Sequence, residues 1–539
     1  MEKSSVILAA QSLGYFRAKS DSKKSDILAE MLELEEYSDK ASEVSAILES
    51  ETMRRHVVSQ ARAKRAIEKQ QADENKPLTA GADSAKDHIA EYPAGVYIVT
   101  VAQNNTDVNP TMLAALEQYA KHNDAKILVA KTTYNKNGFQ QPLESSEGIY
   151  YDSAIAKYLV DGQLRLGGKI DFCAQANVIP TAKNPLSGFA GITEPGIDVI
   201  IPAVKIALQC TAALKGGQVK RMFSTGAITK RNYITRKAGA VAATEHNIGA
   251  LVVDTRKDGP AIVRQLELMH GCNGFYDGSR YYSVNGVSEV SDVTAIQFGD
   301  IHAEKMTDEN LKMVLSLIAE YNPKNVILHD IMDFSSRNHH NIKDCAFMFA
   351  QSTNGNTVEN DIQVVADTID AIAAKCPMIH VIESNHDLAI NTWLKNTDFK
   401  ADPINAWVYL KCMLALYEHI AKSGNTDFNM LEYACKNIGN MENNNVVFHD
   451  TDESVIIAGV EMGIHGHTGI NGAKGSPASF RSLGVPMNTG HTHTPSINGA
   501  CYTAGVSGSL EMGYNVGPSS WQLAHIVTYD NGQRQVIFS

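Results

Sequence analysis

Along the chain, hydrophobic and polar residues follow three successive patterns. Over residues 1–70 apolar positions recur at helical spacing, with almost no Gly or Pro after Gly14. In "KASEVSAILESETMRRHVVSQARAKRAIEK", Ala41, Val44, Ile47 and Leu48 share one face and Met53, Val57 and Ala61 another. This predicts two short helices broken near Glu49-Ser50. Residues 71–92 are polar and unpatterned and predict a linker. A β-α-β unit is then predicted: strand "GVYIVTVA", helix "NPTMLAALEQYAKHN" and strand "AKILVAK". The runs "IDVIIPAV" and "GALVVDT" continue the α/β style to about residue 290. In "GQLRLGGKI" a phosphate loop is missed by one residue, and Ile170 stands where Ser or Thr is required, so a hairpin is predicted.

Beyond residue 290 the chain alternates apolar strands with polar clusters. "VTAIQFGDIHAE" ends at Asp300 and His302, and "TDENLKMVLSLIAEY" is an amphipathic helix with Thr307 as its N-cap. "NVILHDIMDFSSRNHHN" carries Asp330 and Asp333, and "TVENDIQVVADTIDAIAAK" predicts the next helix. "PMIHVIESNHD" stops at Asn385, His386 and Asp387. After a helical insertion, "ESVIIAGVEMGIHGHTG" predicts a strand reaching His465, and "VPMNTGHTHTPSI" supplies His491 and His493. "VTYDNGQRQVIF" predicts a closing hairpin with Asn531-Gly532 as its turn.

Composition narrows the class. With 539 residues, 44% hydrophobic and 20% charged, the chain is of ordinary globular make-up and long enough for two to four domains. The apolar runs are too short to span a bilayer, and the N-terminus lacks a signal-peptide cleavage pattern. Eight cysteines are scattered without a CxxC pair, which argues against a thiolate zinc site and for reduced, mostly buried thiols in a cytoplasmic setting.

The net charge of −12 excludes a simple polyanion sponge, so any nucleic-acid contact rests on local clusters. Two exist. Arg54, Arg55, Arg62, Lys64 and Arg65 fall on the second N-terminal helix, which reads either as the basic half of a helix-turn-helix or as a solvated hairpin or oligomerisation arm. "KGGQVKRMFSTGAITKRNYITRKAG" places Lys215, Lys220, Arg221, Lys230, Arg231, Arg236 and Lys237 around Tyr233. That stretch suits a phosphate backbone and a stacked base, or is a solvated surface loop.

A single Asp or His at a strand end is ordinary; five clusters in order are not. The series "GDIH", "HDIMD", "SNHD", "IHGH", "GHTH" resembles that of the calcineurin-like metallophosphoesterases over about residues 290–539. The resemblance implies a four-layer α/β/β/α sandwich at 291–539; upstream of it the residue pattern predicts an α/β domain at 93–290, for DNA contact or oligomerisation, and the helical region at 1–70. It implies one divalent ion on Asp300, His302 and His493, a second on Asn385, His465 and His491, and Asp330 shared. Two such ions about 3.5–4 Å apart sharpen a water for attack on phosphorus. By the same resemblance His386 contacts the phosphate and protonates the leaving oxygen, oriented by Asp333. The oxygen and imidazole donors suit Mn first, with Mg, Fe or Zn as alternatives.

Two positions depart from the family pattern: His329 and Ser384 replace glycines, altering loop backbone freedom. His339, His340 and His467 are further histidines near the motifs, read as loop, cleft-lining or surface residues. The phosphatase-type Arg-Gly is missing from "DFSSRN". The whole-chain layout also resembles the pre-early DNA-transfer proteins of certain siphophages. That implies a metal-dependent DNase in the cytoplasm of an infected bacterium, as a homo-oligomer with DNA and other viral or host proteins as partners. The alternatives are a phosphatase or cyclic-nucleotide phosphodiesterase with regulatory N-terminal domains, or a non-catalytic DNA-binding adaptor.

Overall fold

The computed structural model describes residues 89–134, 148–338, 342–451, 453–513 and 515–539. The predicted helix-turn-helix with Arg54, Arg55, Arg62, Lys64 and Arg65, and the pair His339-His340, lie outside the described residues.

In chain order the first part comprises β1 (Ile89–Tyr92), β2 (Val96–Gln103), α1 (Pro110–Asn123), β3 (Ala125–Thr132), β4 (Gln163–Leu166), β5 (Ile170–Cys173), β6 (Asp198–Ile201), β7 (Ile206–Thr211) and β8 (Lys220–Thr225). Then come α2 (Lys237–Thr244), β9 (Gly249–Asp254), β10 (Ile262–Glu267), β11 (Gly274–Asp277), β12 (Arg280–Ser283) and β13 (Gly286–Glu289). The rest begins with β14 (Ala295–Gln297), α3 (Asp308–Tyr321), β15 (Asn325–His329), α4 (Cys345–Thr353), α5 (Val358–Ala373), β16 (Ile379–Ile382), α6 (Ala389–Asn396), α7 (Ala406–Ser423) and α8 (Met430–Asn437). It closes with β17 (Val446–His449), β18 (Ile456–Ile457), β19 (Val460–Glu461), α9 (Pro477–Phe480), β20 (Met487–Thr489), β21 (Ser496–Asn498), β22 (Cys501–Thr503), β23 (Ala524–Thr528) and β24 (Arg534–Phe538).

The fold is mixed α/β, built as a sandwich. One sheet has the order β17-β16-β15-β14-β23-β24, with β14 to β17 parallel. Helices cover one of its faces. Val358, Ile362, Val365, Ile369 and Ile372 of α5 recur at helical spacing and are all buried there with Val326, Leu328 and Val381. The other face, through Ala295, Ile327 and Ile382, packs on Val460 of the second sheet and on Val455 and Met462, which flank its β18–β19 hairpin. The outermost layer beyond that sheet is thin: the single turn α9 packs Phe480 on Met487 and Cys501.

Local chemistry explains the predicted elements. Asn109 caps α1 by accepting from Met112 N, and β2 and β3 pair in parallel on either side of it. Thr307 caps α3 in a reciprocal box with Asn310. "GQLRLGGKI" forms the β4–β5 hairpin, with Leu166 opposite Ile170. No described helix is long and apolar enough to cross a membrane. None of the eight cysteines is bridged, and six are buried.

Four expectations are corrected. The predicted linker does not extend through 89–92, because β1 pairs with β4. The boundary at 290 is not a clean division: an eleven-stranded sheet, running β1-β4-β5-β6-β8-β7-β21-β22-β20-β19-β18, crosses it, and Ile89–Ser539 form one unit. The strand expected in "ESVIIAGV" is only the short β18–β19 hairpin, with Ile456 exposed. The C-terminal turn is not a two-residue Asn-Gly turn. Gly532 N donates to Tyr529 O and Tyr529 N to Gln533 O, with Gly532 at φ 81°, a three-residue loop ending in a left-handed glycine.

Candidate metal centre

Because β14, β15 and β16 are parallel neighbours, the loops at their carboxyl ends lie side by side. They carry Asp300 and His302, then Asp330 and Asp333, then Asn385 and His386. The second sheet contributes His465 after β19 and His491 and His493 after β20. Main-chain bonds lock these loops together: His302 N donates to Asp330 O at 2.8 Å and Gly490 N to His465 O at 2.7 Å. His491 N donates to Asp300 Oδ2 at 2.8 Å. His302, Asp330, His491 and His493 all sit at left-handed φ, between 44° and 70°. Each such non-glycine residue costs on the order of 1 kcal/mol or more, and strain of this kind concentrates where function demands a particular geometry.

The side chains converge. Ligand-type atoms of Asp300, His302, Asp330 and His493 all lie within 4.8 Å of one another, and the four residues are buried. His493 Nε2 is 3.1 Å from Asp300 Oδ2 and 3.0 Å from His302 Nε2. Asp330 Oδ2 lies 3.7 Å from His302 Nε2 and 3.5 Å from His465 Nε2. His491 packs edge-on against His465, ring centroids 5.3 Å apart. Asp300 Oδ1, Asn385 Oδ1, His465 Nδ1 and His493 Nδ1 are buried without a hydrogen-bond partner among the described residues. Leaving such atoms unsatisfied costs about 1–3 kcal/mol each, and an oxygen-and-imidazole set of this kind fits a divalent cation. Space is reserved for it: a Cβ on Gly490 would sit 2.2 Å from Asp300 Oδ1. Burial alone would raise the Asp300 and Asp330 carboxyls, but the neighbouring imidazoles, His465 foremost, hold both below the usual range.

His386 stands beside this cluster. Its Nδ1 is 3.1 Å from Asp333 Oδ1, which is also 3.4 Å from His302 Nδ1. Burial lowers the His386 pKa, but the Asp330 charge and the Asp333 bond outweigh it and hold it at about 9. Asp333 is itself driven far down: burial opposes this, but the bonds from His302 and His386 prevail.

Several residues at the centre were given no role from sequence. Glu304 receives Asp333 N at 2.8 Å and Ser335 N at 3.4 Å, so it clamps the loop carrying Asp333. Burial, then the charge of Asp361, pushes Glu304 up to about 8. Asp387 accepts from Met332 N at 2.9 Å and Ser384 N at 3.0 Å, tying the β15 and β16 loops together, and burial raises it to about 7. Trp521 packs edge-on at 4.1 Å against His493. Glu304 and Asp387 were legible only as acids near motif residues, and no sequence signal marked Trp521.

Neither His329 nor Ser384, the two departures from the family pattern, has a left-handed backbone, whereas Asp330 between their loops does. Ser384 puts its hydroxyl between Asp330 and Asp387, and His329 is fully buried with its ring 5.5 Å from His465. His467 lies alongside, 5.5 Å from His465.

The basic stretch is divided by the fold. Lys220 and Arg221 are buried, the first on Ala190 O and Thr193 O, the second on Asp198. Lys215 pairs with Glu511 at 3.6 Å. Lys230, Arg231, Arg236 and Lys237 are exposed, Lys230 pairing with Asp107 at 3.3 Å. The stacking role expected for Tyr233 does not fit its surroundings. Its hydroxyl bonds His246 Nδ1 at 2.6 Å, and its half-buried ring meets Tyr134 and His246 edge-on.

Compared with known proteins, the chain is 43% identical over 480 residues to "Protein A1" of Escherichia phage T5, a match covering 86% of this chain and 85% of that one. No family profile matches the chain, and no solved structure does.

Proposed function

The chain belongs to the family of Protein A1 of Escherichia phage T5, and from that premise and the geometry of the buried cluster we propose that it is a metal-dependent phosphodiesterase hydrolysing DNA in the cytoplasm of an infected bacterium. The observation that carries this reading is the convergence of Asp300, His302, Asp330 and His493, with the orphaned oxygens of Asp300 and Asn385 beside them. Asp300, His302 and His493 would hold one ion and Asn385, His465 and His491 a second, with Asp330 available to both and manganese as the leading candidate. Such ions would supply positive charge to a scissile phosphate.

The chain's own residues do the rest. His386 is kept protonated by the Asp330 and Asp333 carboxylates and gives its Nε2 proton to the leaving sugar oxygen. Asp333 fixes the ring through Nδ1, and Glu304 fixes Asp333 by holding the main chain of its loop. The exposed cations Lys230, Arg231, Arg236 and Lys237 contact the DNA backbone.

The test uses the full chain with Mn against plasmid DNA, p-nitrophenyl phosphate and its bis-ester. DNA should be degraded by the wild type, while His386→Ala keeps its metal and loses activity by about 10²-fold or more. Hydrolysis of the small esters with DNA left intact would replace the nuclease reading by a phosphatase one. A wild-type phenotype in Asp330→Asn would point to a non-catalytic adaptor.

A further inference from the structure

Helix α7 (Ala406–Ser423) buries only Val408 and Cys412 fully, and Tyr409 anchors its inner side by donating to Leu394 O at 2.9 Å. Its outer side is apolar and open among the described residues. Trp407, Leu410, Leu414 and Tyr417, with Ile404 just before the helix, are exposed by 47 to 66%. The 3-4-3 spacing of the four helical positions is that of a coiled-coil seam. An aligned stripe of this size on a surface helix marks an interaction site rather than scattered surface apolars.

The stripe is also palindromic. Leu410 and Leu414 each lie two residues from Cys412, Trp407 and Tyr417 five, and the exposed Ile404 and half-buried Ile420 eight. A surface that reads the same in both directions complements itself under a two-fold rotation, which is the requirement of an isologous dimer. We propose that α7 pairs antiparallel with α7 of a second copy of this chain, about a two-fold axis level with Cys412. In that register Trp407 meets Tyr417 of the second copy, Leu410 meets its Leu414, and Ile404 meets its Ile420.

The area is sufficient. Roughly two-thirds of two aromatic side chains and half of three aliphatic ones amount to on the order of 500 Å² of apolar surface per copy. Two copies together bury about 1,000 Å², where specific interfaces begin.

Light scattering on the full chain at micromolar concentration tests the pairing. The wild type is expected as a dimer or an even-numbered assembly, and Trp407→Lys and Tyr417→Glu should each halve its mass. Mixing the two variants should restore the wild-type mass, because Lys at 407 then faces Glu at 417 across the axis. Thermal melts of both variants, with Leu414→Glu as a third, check that the chains remain folded. A monomeric wild type, a mass that neither variant changes, or a mixture that stays dissociated would overturn the proposal.

Discussion

Replacing Gly490 by alanine tests the metal centre with one methyl group. The new Cβ would lie 2.2 Å from Asp300 Oδ1 and 3.3 Å from both Asp300 Cγ and His465 Nδ1. Carbon-to-oxygen contacts settle at about 3.3 Å or more, so the carboxylate must retreat by about 1 Å. It has no free direction in which to do so. Asp300 is fully buried, and its Oδ2 holds His491 N at 2.8 Å and His493 Nε2 at 3.1 Å. Overpacking of this kind costs about 1–3 kcal/mol of stability. Metal ligation is more sensitive, since ligand distances tolerate only about 0.2 Å, and a loss of about 100-fold in affinity is expected. With Mn at 100 times the wild-type Kd, the ion stabilises the wild type by about 2.7 kcal/mol. The same concentration would stabilise Gly490→Ala by only about 0.4 kcal/mol. Urea unfolding with and without Mn reads this difference, and elemental analysis after dialysis reads the stoichiometry. Gly191→Ala, at a position with nothing within 4 Å, is the control. If Gly490→Ala retained the wild-type Mn content and Mn-dependent stabilisation, Asp300 would not be a ligand and the centre as described would be wrong.

Two further predictions concern the scaffold. Burial foremost, with nearby Arg231 adding to it, depresses the His246 pKa to about 4 despite its bond to Thr229 O. The unfolded chain takes up that proton near pH 6.5, so this stability is fully present above about 6.5 and is lost as pH falls toward 4, by about 3 kcal/mol. Urea midpoints between pH 7 and 4 should therefore fall less steeply in His246→Gln than in the wild type; equal slopes would refute the burial argument. Asp277 is buried and holds Arg264 through contacts of 2.6 and 2.8 Å while accepting from Tyr119 Oη at 2.8 Å. Asp277→Asn leaves the half-buried Arg264 guanidinium facing a neutral amide, and unfolding free energy should drop by about 2–3 kcal/mol, whereas a change under 1 kcal/mol would mean that water already solvates Arg264.

Elements whose signal is local were legible in the chain. The alternation and capping around 96–132 predict the β2–α1–β3 unit, and Thr307 predicts its own helix start, because those forces act within a few residues. The motifs after residue 290 were legible for a related reason: each sits at the end of a strand, and parallel neighbours bring their carboxyl ends together whatever separates them in sequence. Where local signal misled, a distant partner had intervened. "ESVIIAGV" is apolar enough for a buried strand, yet Ile456 faces outward in a short hairpin beside β20.

The chain by itself determined the β2–α1–β3 unit, the capped helix α3, the helix α5 and which oxygen and nitrogen donors stand at strand ends. Tertiary structure alone decided that one sheet crosses residue 290, that Glu304 and Asp387 brace the loops of Asp333 and His386, and that Trp407 and Leu414 stay uncovered. The physical reason is range. Periodicity and caps are written within one or two turns of chain, whereas the partner of a buried carboxylate or the cover of a helix face depends on the register of strands 50 to 200 residues apart.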